Sequence, residues 1–95
     1  MEFRLNLIDG TFTAKEATEI IRNLLEFKIS YHSRESFSNE IRNGEKHEAS
    51  LKRIEQLMQT KKDFLDKVKE YGDGEALKLY SEIVISESKN EQPPA

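Results

Sequence analysis

The chain contains no cysteine, which excludes disulfides, thiolate metal sites, iron–sulfur clusters and cysteine nucleophiles. A reducing cytoplasm suits such a chain. No stretch approaches the roughly 18 apolar residues of a membrane span. The opening Met1–Asp9 has an acid at its second position and no apolar run of signal-peptide length. These absences predict a soluble, non-secreted, cytoplasmic protein. Positive charge is not in excess either, since 15 Lys and Arg residues are interleaved with 18 Asp and Glu for a net charge of -3. Proteins that hold nucleic acid through its phosphates concentrate cations on one face. Glycine is scarce, and none of Gly10, Gly44, Gly72 and Gly74 opens a helix with the spacing of a phosphate-binding loop.

What remains is periodic. Ninety-five residues suffice for one core, and apolar residues (36%) barely outnumber charged ones (35%), a balance that favours an elongated, well-solvated shape. Phe3, Leu5 and Leu7 alternate with Arg4 and Asn6, which predicts a strand over residues 2–8. Asp9-Gly10 reads as a turn. Thr13-Ala14-Lys15-Glu16 matches a capping box, with Phe12 and Ala17 placed for a hydrophobic staple. From Thr13 a helix of about six turns follows, with Ala17, Ile20, Ile21, Leu24, Phe27 and Tyr31 in one stripe and Leu25 and Ile29 beside it. The apolar face is wide enough for two neighbours.

Ser33–His47 is rich in Ser and Asn and reads as the connection at the hairpin tip, with Phe37 and Ile41 spaced for one short helical turn. A second helix is expected from about Glu45 to Tyr71, with Leu51, Ile54, Leu57, Met58, Phe64, Leu65 and Val68 on one side. Glu48 with Lys52 and Asp63 with Lys67 are spaced for ion pairs, and Gly72 for a left-handed stop. After Asp73-Gly74, alternation of Leu77, Leu79, Ser81, Ile83 and Ile85 predicts a strand over residues 76–86. Residues 87–95 are expected to be a disordered tail.

The fold class is therefore α+β, one domain over residues 1–86 in the order β-α-α-β, with a long antiparallel helical hairpin and a small antiparallel sheet formed by the terminal strands. A two-stranded sheet is marginal alone, and the hairpin should overhang it. A two-fold homodimer would cover both, through strand edges or through helices.

Candidate sites are few. Asp9–Glu16 resembles the second half of an EF-hand loop, but aligning on Gly10 puts Leu5 and Leu7 at ligand positions, which leaves the capping box as the reading. His32 and His47 are the only imidazoles, too few for a zinc site, and both read as solvated surface residues. His32 with Ser33, Glu35, Ser36 and Ser38 superficially offers base, nucleophile and orienter, yet a serine-rich helix end without an oxyanion turn reads as a loop. Lys52-Arg53 and Lys61-Lys62 read as a solvated helix face. No catalytic, metal or cofactor residue is assigned. Tyr31, Arg34, Phe37 and Ile41 gather near the tip as a candidate partner-binding patch. The expectation is a non-enzymatic interaction or structural module, homodimeric, binding another protein. The rival is a nucleic-acid-associated regulator using Arg34, Arg42 and Lys46 near Tyr31 and Phe37.

Overall fold

A computed structural model describes residues 1–44 and 48–88. Four elements follow in order: β1 (Glu2–Thr13), α1 (Ala14–Asn43), α2 (Glu48–Val68) and β2 (Ala76–Ser86). The two terminal strands pair antiparallel into a two-stranded sheet, and the helices pair into a hairpin. The α+β class and the β-α-α-β order are as the periodicities indicate.

The strand β1 is longer than its first alternating run, and Asp9-Gly10 lies inside it, opposite Tyr80 and Leu79. The expected turn there is overruled by the partner strand, which is regular across eleven residues and whose Lys78, Leu77 and Ala76 go on to pair with Thr11, Phe12 and Thr13. A side chain at Gly10 would meet the Phe12 ring at 3.5 Å, so the ring covers the bare glycine. Leu7 is the extra residue of a bulge, because the pairing steps from Asn6↔Glu82 to Ile8↔Ser81. The set that β1 places on one face of the sheet therefore switches from Phe3 and Leu5 to Ile8, Gly10 and Phe12. Leu7 leaves the stripe it was read into and is exposed.

Thr13 caps α1. Its hydroxyl accepts from the Glu16 N–H at 3.1 Å and its own N–H donates to Glu16 Oε1 at 2.9 Å, the reciprocal arrangement that satisfies two orphan donors. The helix then continues for 30 residues, well past the six turns expected. The Ser33–Asn43 segment is helical rather than a loop. Its serines are outvoted by position: Ser36 is buried, and Asn43 donates to Asn39 one turn below at 2.8 Å. Gly44 ends it in the left-handed region with φ 73°.

The helix α2 has 21 residues and ends at Val68, earlier than Tyr71. Its exit is a tightened turn, with Glu70 N–H donating to Lys67 O and Tyr71 N–H to Val68 O. Gly72 is not in the left-handed region, so it is not the stop it was read as; the chain turns at Asp73-Gly74, closed by Glu75 N–H donating to Gly72 O at 2.9 Å. Lys67 pairs with Glu70 at 2.9 Å rather than with Asp63, which accepts from Gln59. The expected start at Glu45, His47 and the tail from Lys89 on lie outside the described residues.

Sheet and hairpin meet at one junction, where Ala14 N–H donates to Glu75 O at 2.8 Å and Lys15 N–H to Asp73 O at 3.1 Å. The two alanines Ala14 and Ala17 are buried, which is what small side chains permit at a crowded crossing. The helix α2 comes within 8 Å of neither strand, Cα to Cα. The chain is a thin, angled body of 48 × 33 × 15 Å. Its radius of gyration is 16.3 Å, against about 12.4 Å for a compact domain of this length.

Candidate functional site

The helix α1 carries two seams. Steps of four and three from Ala14 reach Thr18, Ile21, Leu25, Lys28, His32, Glu35 and Asn39, and every one of these is buried or half-buried. Its counterpart on α2 is Ser50, Ile54, Leu57, Lys61, Phe64 and Val68, likewise all shielded. This is the hairpin interface, and the 3.5-residue repeat is that of a coiled-coil seam. The other repeat on α1 runs Ile20, Leu24, Phe27, Tyr31, Arg34, Ser38 and Ile41. It is the more apolar of the two over its first four members, yet from Leu24 onward it faces outward.

The interior of the hairpin is polar toward its tip. Ser50 is fully buried and donates to Glu35 Oε2 at 3.2 Å. That oxygen stands 3.6 Å from His32 Nδ1, beyond hydrogen-bond range. His32 is 1% exposed, and neither ring nitrogen has a hydrogen-bond partner. Its reading as a solvated residue is thus wrong: because α1 continues past residue 32, the imidazole sits mid-helix on the seam facing α2. Tyr31 stacks edge-on against it at 5.3 Å. Burial pushes the imidazole below its ordinary value, the Lys28 charge adds to that and Arg53 adds less, while Glu35 opposes them. The group is therefore held neutral.

Histidine, carboxylate and hydroxyl do come together here, though the hydroxyl is that of Ser50, not of Ser33, Ser36 or Ser38. The arrangement is closed. A nucleophile must face a reacting atom, and Ser50 faces Glu35 between two packed helices. Among the described residues no group of three or more His, Asp or Glu is placed to hold a metal ion. No helix among them is long and apolar enough to cross a membrane.

The four patch residues Tyr31, Arg34, Phe37 and Ile41 occupy the last three turns of α1 at three- and four-residue spacings. Phe37 and Ile41 are 63% and 68% exposed, and Arg34 is exposed too. Tyr31, Arg34 and Ile41 prolong the outward seam from Phe27, itself 62% exposed, and Phe37 lies beside it. Sequence reasoning set Leu24, Phe27 and Tyr31 in the stripe on which the helix packs, whereas all three are exposed and Leu25, placed beside that stripe, lies on the interface. Of the cations near the tip, Arg34 and Arg42 are exposed on α1, and Lys46 lies outside the described residues.

Two further surfaces are open. A groove of about 1020 Å³ runs beside the junction, lined by Ala14, Thr18, Ile29, Met58 and Leu65 with Lys61, Lys62 and Lys69 among the acids Glu26, Asp66 and Asp73. The far end of the sheet shows Phe3, Ile83 and Ile85 on one face, all exposed. Its opposite face is mixed: beside the exposed Val84, Arg4 bonds Glu82 at 2.7 Å and Glu2 at 3.0 Å, and the Tyr80 hydroxyl donates to Glu82 at 3.1 Å. That bond, with the Glu82 charge, pushes the Tyr80 phenol above its ordinary value. Comparison with protein families, with curated proteins and with solved structures finds no match to this chain.

Proposed function

We propose that this protein is a small non-enzymatic interaction or structural module that works as a homodimer in the cytoplasm and presents its remaining helical surface to another protein. The observation that carries this reading is the lack of a core within one copy. Among the described residues only Ala14, Ala17 and Leu57 are buried apolar side chains, while Phe3, Phe27, Phe37, Ile41, Met58 and Ile85 are each more than half exposed. Hydrophobic burial is the main favourable term in folding. A chain that leaves its largest apolar residues in water gains little from it until something covers them.

The surface area agrees. The chain exposes 7536 Å², against about 5,700 Å² for a folded monomer of its mass. Setting residues 89–95 aside at the extended-chain limit of about 1.45 Å² per dalton still leaves a surplus on the order of 1,000 Å². A standard interface buries about 800 Å² on each partner. One such contact accounts for the surplus.

Sedimentation equilibrium tests the reading. A mass of twice 11.1 kDa at tens of micromolar supports it, and a single-chain mass at every concentration refutes it. A protein partner is sought by co-purification from the native host using the intact chain and a Phe37→Gln variant. A partner retained by the first and lost by the second engages the exposed tip of α1. Retention of nucleic acid instead, weakening steeply with salt, would mark the rival regulator.

A further inference from the structure

We propose that a second copy of this chain adds antiparallel to the free edge of β2, with the two-fold axis passing at Tyr80, to make a continuous four-stranded sheet in the order β1-β2-β2-β1. This inference rests on the homodimer reading above and specifies its contact.

Three observations lead to it. Among the described residues the sheet has two strands, so each has one unpaired edge, and exposed edges are templates for pairing. The edges are not equivalent. The bulge at Leu7 interrupts β1, and bulges blunt an edge by twisting it, whereas β2 pairs without interruption from Ala76 to Ser86. The edge able to extend the sheet is therefore that of β2.

The second observation selects the register. In an antiparallel pair, residues directly opposite share a face. A two-fold axis centred on a residue keeps odd positions opposite odd ones, so the apolar faces of both copies form one surface. An axis between residues sets apolar side chains opposite polar ones. Among residue-centred axes near mid-strand, Lys78 and Glu82 decide. Centring on Lys78 sets lysine against lysine, and centring on Glu82 sets glutamate against glutamate. Centring on Leu79 or Ser81 leaves both charges opposite neutral residues. Centring on Tyr80 places Lys78 opposite Glu82 of the partner subunit and, by symmetry, Glu82 opposite Lys78 of the partner subunit. Charge complementarity therefore picks one register from the five.

The third observation is the match of shielded to bare. Leu77 is half-buried and Ile83 is exposed. In the Tyr80 register Leu77 stands opposite Ile83 of the partner subunit, so the exposed far half of each apolar face lies beside the shielded near half of the other copy.

The chain has no cysteine, so single-cysteine variants read the register directly under mild oxidation. A Tyr80→Cys pair would lie about 4.5–5.5 Å apart, Cα to Cα, inside the range a disulfide spans. Lys78→Cys or Glu82→Cys pairs would lie four residues apart along the strand, about 13 Å, and outside it. The expected result is a covalent dimer from Tyr80→Cys and little from the other two. A second variant, Lys78→Glu, sets like charges opposite at both symmetric positions and should weaken the dissociation constant about 30-fold. Preferential cross-linking at position 78 or 82, cross-linking of Phe27→Cys in place of Tyr80→Cys, or an unchanged constant for Lys78→Glu overturns the register while leaving the dimer standing. A single-chain mass for the unmodified protein removes the dimer itself.

Discussion

Replacing His32 by leucine should stabilise this protein, although it removes a buried histidine. The imidazole is 1% exposed, and both ring nitrogens lack partners. A buried polar group left unpaired costs about 1–3 kcal/mol. Leucine removes that cost and leaves the bond from Ser50 to Glu35 in place. Against this stands the lost edge-on contact with Tyr31, worth about 0.5–1.5 kcal/mol. The net gain is about 1 kcal/mol, or about 4–8 °C in Tm for a domain of this size.

The same residue sets a pH dependence with a definite sign. In the folded state the imidazole lies below its ordinary value of 6.5, so as pH falls through that value the unfolded chain takes up the proton first. Proton uptake at His32 therefore lowers stability in acid and contributes nothing further well above pH 6.5, where only the cost of the unpaired neutral ring remains. The gap in Tm between His32→Leu and the parent should widen from pH 8 to pH 5.5. Circular dichroism melts at fixed protein concentration measure both effects. A variant less stable than the parent at pH 8, or a gap that does not change with pH, would refute the picture of a neutral, unpaired imidazole.

Three predictions follow from the helix ends. Thr13→Ala removes the capping hydroxyl and with it one half of the reciprocal pair with Glu16, and should cost about 1 kcal/mol in urea unfolding. Gly44 sits at φ 73° with open space around it, so Gly44→Ala should destabilise by about 1–2 kcal/mol through backbone conformation alone. Gly72 has equal space and no positive φ. Gly72→Ala should instead be neutral or stabilising by up to about 1 kcal/mol, by narrowing the unfolded ensemble, and a loss equal to that of Gly44→Ala would contradict the ending of α2 described above.

The parts of the fold that could be read in advance are those where one local signal acts alone. The capping box at Thr13, the turn at Asp73-Gly74 and the alternation over 76–86 all appear where the residues place them. Two of the misreadings share a cause, which is that a longer regular element outweighed a local preference. Asp9-Gly10 has turn chemistry, yet β2 holds it in a ladder. Ser33–Asn43 has loop composition, yet α1 runs straight through it. The consequence for the candidate site is direct. Ending the helix at Tyr31 sends His32 into solvent, whereas extending the Ala14, Thr18, Ile21, Leu25 repeat by the same steps reaches Lys28, His32 and Glu35 and buries the histidine. The tip patch of Tyr31, Arg34, Phe37 and Ile41 was legible in composition. That Leu24, Phe27 and Tyr31 face outward was not legible, because the seam that packs against α2 is the less apolar of the two.

The central claim is that one copy cannot bury enough apolar surface to be stable alone, so that folding and association are linked. The most direct test is the midpoint of thermal unfolding, followed by circular dichroism from about 1 to 100 μM chain. If association supplies stability, Tm rises with concentration by mass action. A Tm constant over that range, for a protein that sediments as one chain, would contradict the account.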